Sequence, residues 1–318
     1  METAKRQLIG GILLFASAAA ALLLANSPIE GAYHHLAEIE AIKGTAIFLF
    51  FLSIGIELRH EITHGSLSKP KLAVVPIFAA IGGMALPVII YSVVNMGSDS
   101  AGGWGVPMST DIAFALGVLA IAGRWLPKSV RTYVLTVAVV DDSLTILMIA
   151  IFFASSFHFL SLVSLAGVLV GLFMPAGERL ARVLEPTVAY AALPLFAFLS
   201  AGVSLGSLDF TAGSASLIVV GVILAMVIGK PLGVLGTTWL VTKTKLGSLP
   251  ESVTWPRLLR VGLVFGMCFT VAMLMSELSF GEQPNYHSVA NVSVLIATCA
   301  MAILSTLTLS VRKKHLHD

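Results

Sequence analysis

The stretch VRTYVLTVAVVDDSLTILMIAIFFA, residues 130–154, decides the fold, because an apolar run of membrane-crossing length carries two adjacent aspartates, Asp141 and Asp142, near its middle. About 20 apolar residues suffice for a helix to cross the hydrocarbon core, and this run exceeds that. A charged group at such depth costs roughly 2.5–3.5 kcal/mol on insertion scales, so a sequence that keeps two in succession has a use for them. The rest of the chain agrees with a membrane setting. Of its 318 residues 57% are apolar and 11% charged, with a mean hydropathy of +0.95, against about 25% charged in soluble domains.

Reading outward from this run, nine others are bounded by charge, Pro or Gly: residues 8–25, 41–58, 72–94, 106–123, 157–174, 187–205, 217–241, 258–278 and 289–309. The reading is an all-α polytopic membrane protein with about ten transmembrane helices, and 1–318 forms a single integral membrane unit with no room for a separate soluble domain of ordinary size. The first run is long for the core of a cleaved signal peptide, which favours a retained helix. Counting Lys and Arg in alternate connections sets the orientation. With the N-terminus inside, Lys5, Arg6, Arg59, Lys69, Lys71, Arg124, Lys128, Arg131, Arg179, Arg182, Lys243, Lys245, Arg257, Arg260, Arg312, Lys313 and Lys314 are all inner, which is 17 of 19. Lys43 alone falls in an outer loop and Lys230 alone inside a span, so both termini are expected to be cytoplasmic. Cys268 and Cys299 sit in apolar runs, which argues against a disulfide framework. The eight histidines show no metal-ligand spacing, and no nucleic-acid partner or cofactor is expected.

Asp142 and Lys230 lie at the midpoints of their runs, with Asp141 beside them and Asp111 about one turn from the middle of 106–123. A structural salt bridge explains one Asp against one Lys and leaves two carboxylates without a cation. Such surplus acids mark a proton relay or cation pathway. Neighbouring helical residues point about 100° apart, so one aspartate of the pair can meet Lys230 while the other faces a cavity with Asp111. Two runs also look interrupted: VPMSTDIAFALG (106–117) by Ser109, Thr110 and Asp111, and VGLVFGMCFTVAM (261–273) by Gly262, Gly266 and Thr270. Unwound backbone at that depth is tolerated only where protein or a water-filled cavity satisfies it; the simpler reading of the two glycines is close helix packing. The interrupted runs are the middle members of two triplets, residues 72–154 and 217–309. These start five helices apart and are therefore oppositely inserted, the plan of two inverted three-helix repeats with broken central helices. Residues 8–58 and 157–205 supply the remaining helices, an interface-type bundle.

On these residues the chain resembles the bacterial sodium/proton antiporter A family (NhaA type), itself a standard example of inverted-repeat transporters. The segments GGILLFASAAAALLLANS, GIELRHEI, FAAIGGMALP, STDIAFALGVLA, VVDDSLTIL, LAGVLVGLFMP, ALPLFAFLSAGVSL, IGKPLGV and VFGMCFTVAM carry the resemblance in family order over nearly the whole chain. It implies a cation- and proton-binding site of Asp111 and Asp142, with Thr110 supplying oxygen and the metal being transient sodium or lithium. It also implies a charge-compensating pair of Asp141 with Lys230, a helix break at Gly266, Met267 and Cys268, and a pH response involving Glu57, Arg59 and Glu61. The implied activity is secondary antiport that exports sodium or lithium against protons, without enzymatic chemistry, from a bacterial inner membrane. The implied partners are the ions and membrane lipid, and the resemblance allows a homodimer.

The departures are specific. Family members usually have twelve spans, whereas here VVDD is followed almost at once by SLAGVLVG (164–171), so two helices appear to be removed as a pair. Met267 and Cys268 replace part of a usual Gly-Ile-Gly, His60 stands where Arg is usual, Ala181 replaces a family acid, and the loop 26–43 is short for a dimerising hairpin. With only Ser155 and Ser156 between two runs, the expectation is an intact ion site whose transport motion is restricted. The rivals are a sodium-coupled solute carrier, a passive cation channel and, remotely, an intramembrane aspartyl protease. The usual Gly-x-Gly-Asp signature of the last is absent.

Overall fold

A computed structural model describes residues 2–37, 39–68, 70–152, 159–174, 184, 186–244, 246–250 and 252–310. Lys69, Ser155, Ser156, His158, Arg179, Ala181, Arg182, Lys245, Arg312, Lys313, Lys314, His315 and His317 lie outside them. Among the described residues the regular structure is helical. The α-helices are α1 (Glu2–Ala25), α2 (Glu30–Ala37), α3 (Glu40–Thr63), α4 (Pro70–Val94), α5 (Ile112–Ile121), α6 (Lys128–Phe152), α7 (Phe159–Phe173), α8 (Leu193–Ser200), α9 (Ala215–Leu224), α10 (Lys230–Lys243), α11 (Trp255–Val261), α12 (Thr270–Phe280) and α13 (Pro284–Ser310). A π turn, Val188–Ala192, leads into α8; another, Ala225–Gly229, joins α9 to α10; a 3-10 turn, Gly262–Gly266, follows α11.

Among the described residues five helices are long and apolar enough to cross a membrane: Ala41–Thr63, Ala73–Val94, Lys128–Ile149, Ala215–Lys243 and Pro284–Ser310. Trp255–Gly266 and Thr270–Phe280, bent by 43° at their break, make a sixth if taken as one span. Four more apolar helices, Ile9–Ala25, Ile112–Ile121, Leu162–Phe173 and Val188–Ser200, have 10–17 residues, fewer than the roughly 20 that a full crossing uses.

Three stretches differ from the sequence reading for identifiable reasons. The run 106–123 is α-helical only over Ile112–Ile121, because the Asp111 side chain caps the helix by accepting from the N–H groups of Ala113 and Phe114. The connection 26–43 contains α2, anchored by buried Tyr33, whose hydroxyl donates to the Phe198 carbonyl at 2.6 Å. The run 187–205 ends its helix at Ser200, and Gly202 lies against the Tyr33 ring with no room for a Cβ.

Two helix pairs approach at reciprocal glycines. A Cβ on Gly55 of α3 would strike the backbone of α7 around Gly171, and one on Gly171 would strike α3 around Gly55; Gly82 of α4 and Gly233 of α10 stand in the same relation. Lipid tails are as apolar as the side chains, so close backbone approach replaces the hydrophobic effect as the force joining such helices. α3 packs on α7 and α8, and α1 on α8; α4 packs on α6, α9 and α10, and α9 on α13; α1–α5 and α3–α6 contacts join these groups.

The contact at Gly233 is backbone against backbone and cannot yield, whereas Gly236 on the same helix has nothing within 4 Å of its Cβ position. Gly233→Ala should therefore lower the thermal unfolding midpoint in detergent, with an overpacking cost of about 1–3 kcal/mol. Gly236→Ala should leave it unchanged or raise it, since Ala exceeds Gly in helix propensity by up to ~1 kcal/mol.

Candidate ion-binding site at a crossing of two broken helices

The segments before α5 and α12 are unwound and lie against each other. Each unwinding frees carbonyls that must be paired in a dry interior, and the pairing can be traced atom by atom. Met108 O accepts from Lys230 Nζ, Phe265 O from the Thr110 hydroxyl at 3.0 Å, Met267 O from Asp111 N–H at 2.8 Å, and Cys268 O from the Thr298 hydroxyl at 2.5 Å. Gly262 and Gly266 serve both of the readings that the sequence leaves open. They sit at the break, and they are also close-packing positions: a Cβ on Gly262 would meet Leu235, and one on Gly266 would meet Met301 and the Met226 carbonyl.

Three carboxylates and one ammonium occupy this crossing, all buried: Asp111 is 6% exposed, and Asp141, Asp142 and Lys230 are each 1% exposed. Lys230 Nζ donates to Asp141 Oδ2 at 2.8 Å, so the structure brings these two together. Asp111 is held differently. Its Oδ1 accepts from Ala113 N–H at 3.0 Å and Phe114 N–H at 3.4 Å, and its Oδ2 accepts from the Thr270 N–H at 3.2 Å and the Thr270 hydroxyl at 2.7 Å. One carboxylate thereby caps the N-termini of both α5 and α12, and its charge is offset by the positive ends of two helices. Four donors fill the roughly four lone-pair positions of a carboxylate.

Asp142 has neither form of compensation. Its Oδ1 accepts from the Ser109 hydroxyl at 2.9 Å, and among the described residues no donor reaches Oδ2. The two aspartates that the sequence reading groups as one cation site are therefore unlike: Asp111 is saturated, and Asp142 presents a buried, open oxygen. Thr110 keeps its oxygen lone pairs, because its hydroxyl acts as the donor to Phe265 O.

Glu57, Arg59 and Glu61 lie near the far end of α3. Arg59 donates to the carbonyls of Met174 at 2.6 Å and Leu172 at 3.4 Å at the end of α7, where a cation suits the helix dipole. Glu61, 9% exposed, turns to α6 and accepts from the Thr136 hydroxyl at 2.9 Å. Glu57 is half-buried one turn earlier.

Comparison with known proteins shows the family. The profile of the family described as Na+/H+ antiporter 1 matches residues 1–174 and 163–309. The chain belongs to that family. It is 34% identical over 394 aligned residues to a Na(+)/H(+) antiporter NhaA of Arthrobacter sp. (strain FB24), covering 98% of this chain and 85% of that protein. It is also 34% identical over 363 residues to the Na(+)/H(+) antiporter NhaA of Salmonella arizonae, covering 93% of each, and 33% identical over 371 residues to that of Escherichia coli O1:K1 / APEC, covering 95% of each. These alignments are longer than the 318 residues of this chain, so the relatives carry segments that it lacks. The family match divides into two pieces that overlap over residues 163–174, at the end of α7, near the point where the sequence reading removes two helices.

Ser109, Thr270 and Thr298 are the contributors that sequence reasoning does not assign to the site. Their hydroxyls stand in apolar runs, where most such groups bond back to the carbonyl four residues earlier, as Thr145 and Ser143 do. Ser109 and Thr270 had one available signal, their place at the two interruptions, whereas Thr298 had none.

Lys230→Ala would leave Asp141 and the Met108 carbonyl without their cation. Breaking a buried pair costs about 3–5 kcal/mol, so the thermal unfolding midpoint should fall clearly, and adding Asp141→Asn should recover part of it. An unchanged midpoint in Lys230→Ala would refute the stabilising role of the pair.

Proposed function

We propose that this chain is a sodium(lithium)/proton antiporter in which Asp142 is the exchanging carboxylate. The observation that carries the reading is the difference among three buried acids. Asp141 and Asp142 each keep one oxygen that no donor reaches among the described residues, but Asp141 is offset by Lys230 and Asp111 by two helix ends, whereas Asp142 has a single hydroxyl donor and no counter-charge. A buried carboxylate with no counter-charge takes either a proton or a hard cation that prefers oxygen ligands. The two compete: a cation arriving from one side displaces the proton, and a proton from the other side displaces the cation. If only loaded forms change access, exchange is obligatory and the proton gradient expels sodium. Thr110 offers a second oxygen, and Asp111 contributes charge and holds the crossing together.

The supporting architecture in this proposal is ten spans in a bacterial inner membrane with both termini cytoplasmic, and residues 72–154 and 217–309 as inverted repeats moving against a bundle of 8–58 and 157–205. Short apolar helices such as Ile112–Ile121 then form parts of interrupted spans. Glu57, Arg59 and Glu61, at the cytoplasmic end, are the proposed pH-responsive group, and a homodimer is the proposed assembly. A second reading, cation binding with slow exchange, is favoured by the divided family match, because helices lost between the bundles would restrict their motion.

In proteoliposomes loaded with a pH-sensitive dye, a sodium pulse should move protons through the unaltered chain. Asp142→Asn should abolish the response, since an amide can neither release a proton nor supply a counter-charge. Asp111→Asn should weaken sodium affinity, by about tenfold for a loss of 1.4 kcal/mol, while turnover persists. Exchange at a normal rate in Asp142→Asn would remove this residue from the mechanism. Calorimetric sodium binding without vesicle exchange in the unaltered chain would select the slow-exchange reading.

A further inference from the structure

Lys43 is the one cation that the charge pattern leaves on the outer side, and it has a partner. Its ammonium makes an ion pair with the Glu277 carboxylate, the two side chains being 12% and 30% exposed. Lys43 lies in the first turn of α3, which packs on α7 and α8, whereas Glu277 lies in the last turns of α12, which packs mainly on α13 and more lightly on α8. The bond therefore ties one proposed bundle to the other.

Glu277 stands seven residues beyond Thr270, the residue that holds Asp111. Seven residues are nearly two full turns and about 10 Å of helix, so both side chains share one face of α12. Between them lies an apolar gap lined by Ile47, Phe50, Phe51, Phe196 and Leu274, with Thr270 at its edge and no space for a water molecule. The lining comes from α3 and α12, which run in opposite senses, with Phe196 of α8 beside them. On α3 it proceeds inward from Lys43 through Ile47 to Phe51, and on α12 outward from Thr270 through Leu274 to Glu277.

We propose that the Lys43–Glu277 pair is a latch that holds the outer route to the ion site shut, with the apolar contact beneath it as the seal. The inference rests on the antiport reading and adds the two residues whose parting opens the site outward. The pair is only partly exposed, so separating it leaves two charges incompletely hydrated at the mouth of a dry gap. The latch thus opposes outward opening while touching neither the cation nor its ligands.

The test is the rate at which a small methanethiosulfonate labels Leu274→Cys in purified detergent-solubilised protein. Cys299 is replaced by Ser, and the slow background of buried Cys268 is measured without Leu274→Cys. With the pair intact, labelling should be slow. Lys43→Gln or Glu277→Gln should each accelerate it by at least about fivefold through a larger open population, Lys43→Arg should keep it slow, and the exchange Lys43→Glu with Glu277→Lys should slow it again. A cysteine at buried Val234 should label at the same rate in every background. Equal Leu274→Cys rates with and without the pair would overturn the latch. So would acceleration at both positions, which signals general loosening, or labelling in the exchanged pair as fast as in the single variants. Because the measurement needs neither transport nor sidedness, it fails independently of the antiport reading.

Discussion

Inside a bilayer no water is present to complete the hydrogen bonding of an unwound backbone, and this constraint organises the centre of the protein. Two helices stop, and each must find partners for the groups it exposes. The carbonyls of Met108, Phe265, Met267 and Cys268 are met by Lys230, Thr110, Asp111 and Thr298. Several of these are also the charged groups of the site, so the residues that permit the breaks are those that give the crossing its chemistry. Asp111 is the clearest case, because a single side chain begins α5 and also α12.

That dual use separates three buried aspartates into three roles. Burial alone disfavours charge on each of them, and their differences come from neighbours contributed by distant parts of the chain. A lysine from α10 serves Asp141, two helix ends serve Asp111, and a lone hydroxyl serves Asp142. Every one of these partners lies in residues 108–142, 230 and 265–298, away from the region where the two parts of the family match overlap.

How much of this was legible before the fold was known depends on the kind of force involved. Apolar runs and charge placement are decided by transfer between water and lipid, a property each residue carries with it. The runs around Asp142 and Lys230, and the interruptions at Thr110 and Gly266, could therefore be read directly. The start of α5 was displaced from residue 106 to Ile112 because its cap acts locally on a few backbone groups that composition does not reveal. Helix α2 depends on Tyr33 reaching Phe198, a contact across 165 positions. The saturation of Asp111 depends on Thr270, 159 positions away. Local chemistry names candidates, and only the folded chain shows which of them are already occupied.

The π turn at Ala225–Gly229 ends directly before Lys230. A wide turn of this kind accommodates one residue more than an α-helical ladder does, and one residue corresponds to about 100° of rotation. The direction in which Lys230 points is therefore set by a surplus residue one turn upstream. A single-residue deletion between 225 and 229 would preserve the hydropathy of the segment and every charged group, yet would turn the ammonium about a quarter of the way round the helix relative to α9. Length in this short stretch is under as strict a constraint as identity is at the lysine itself.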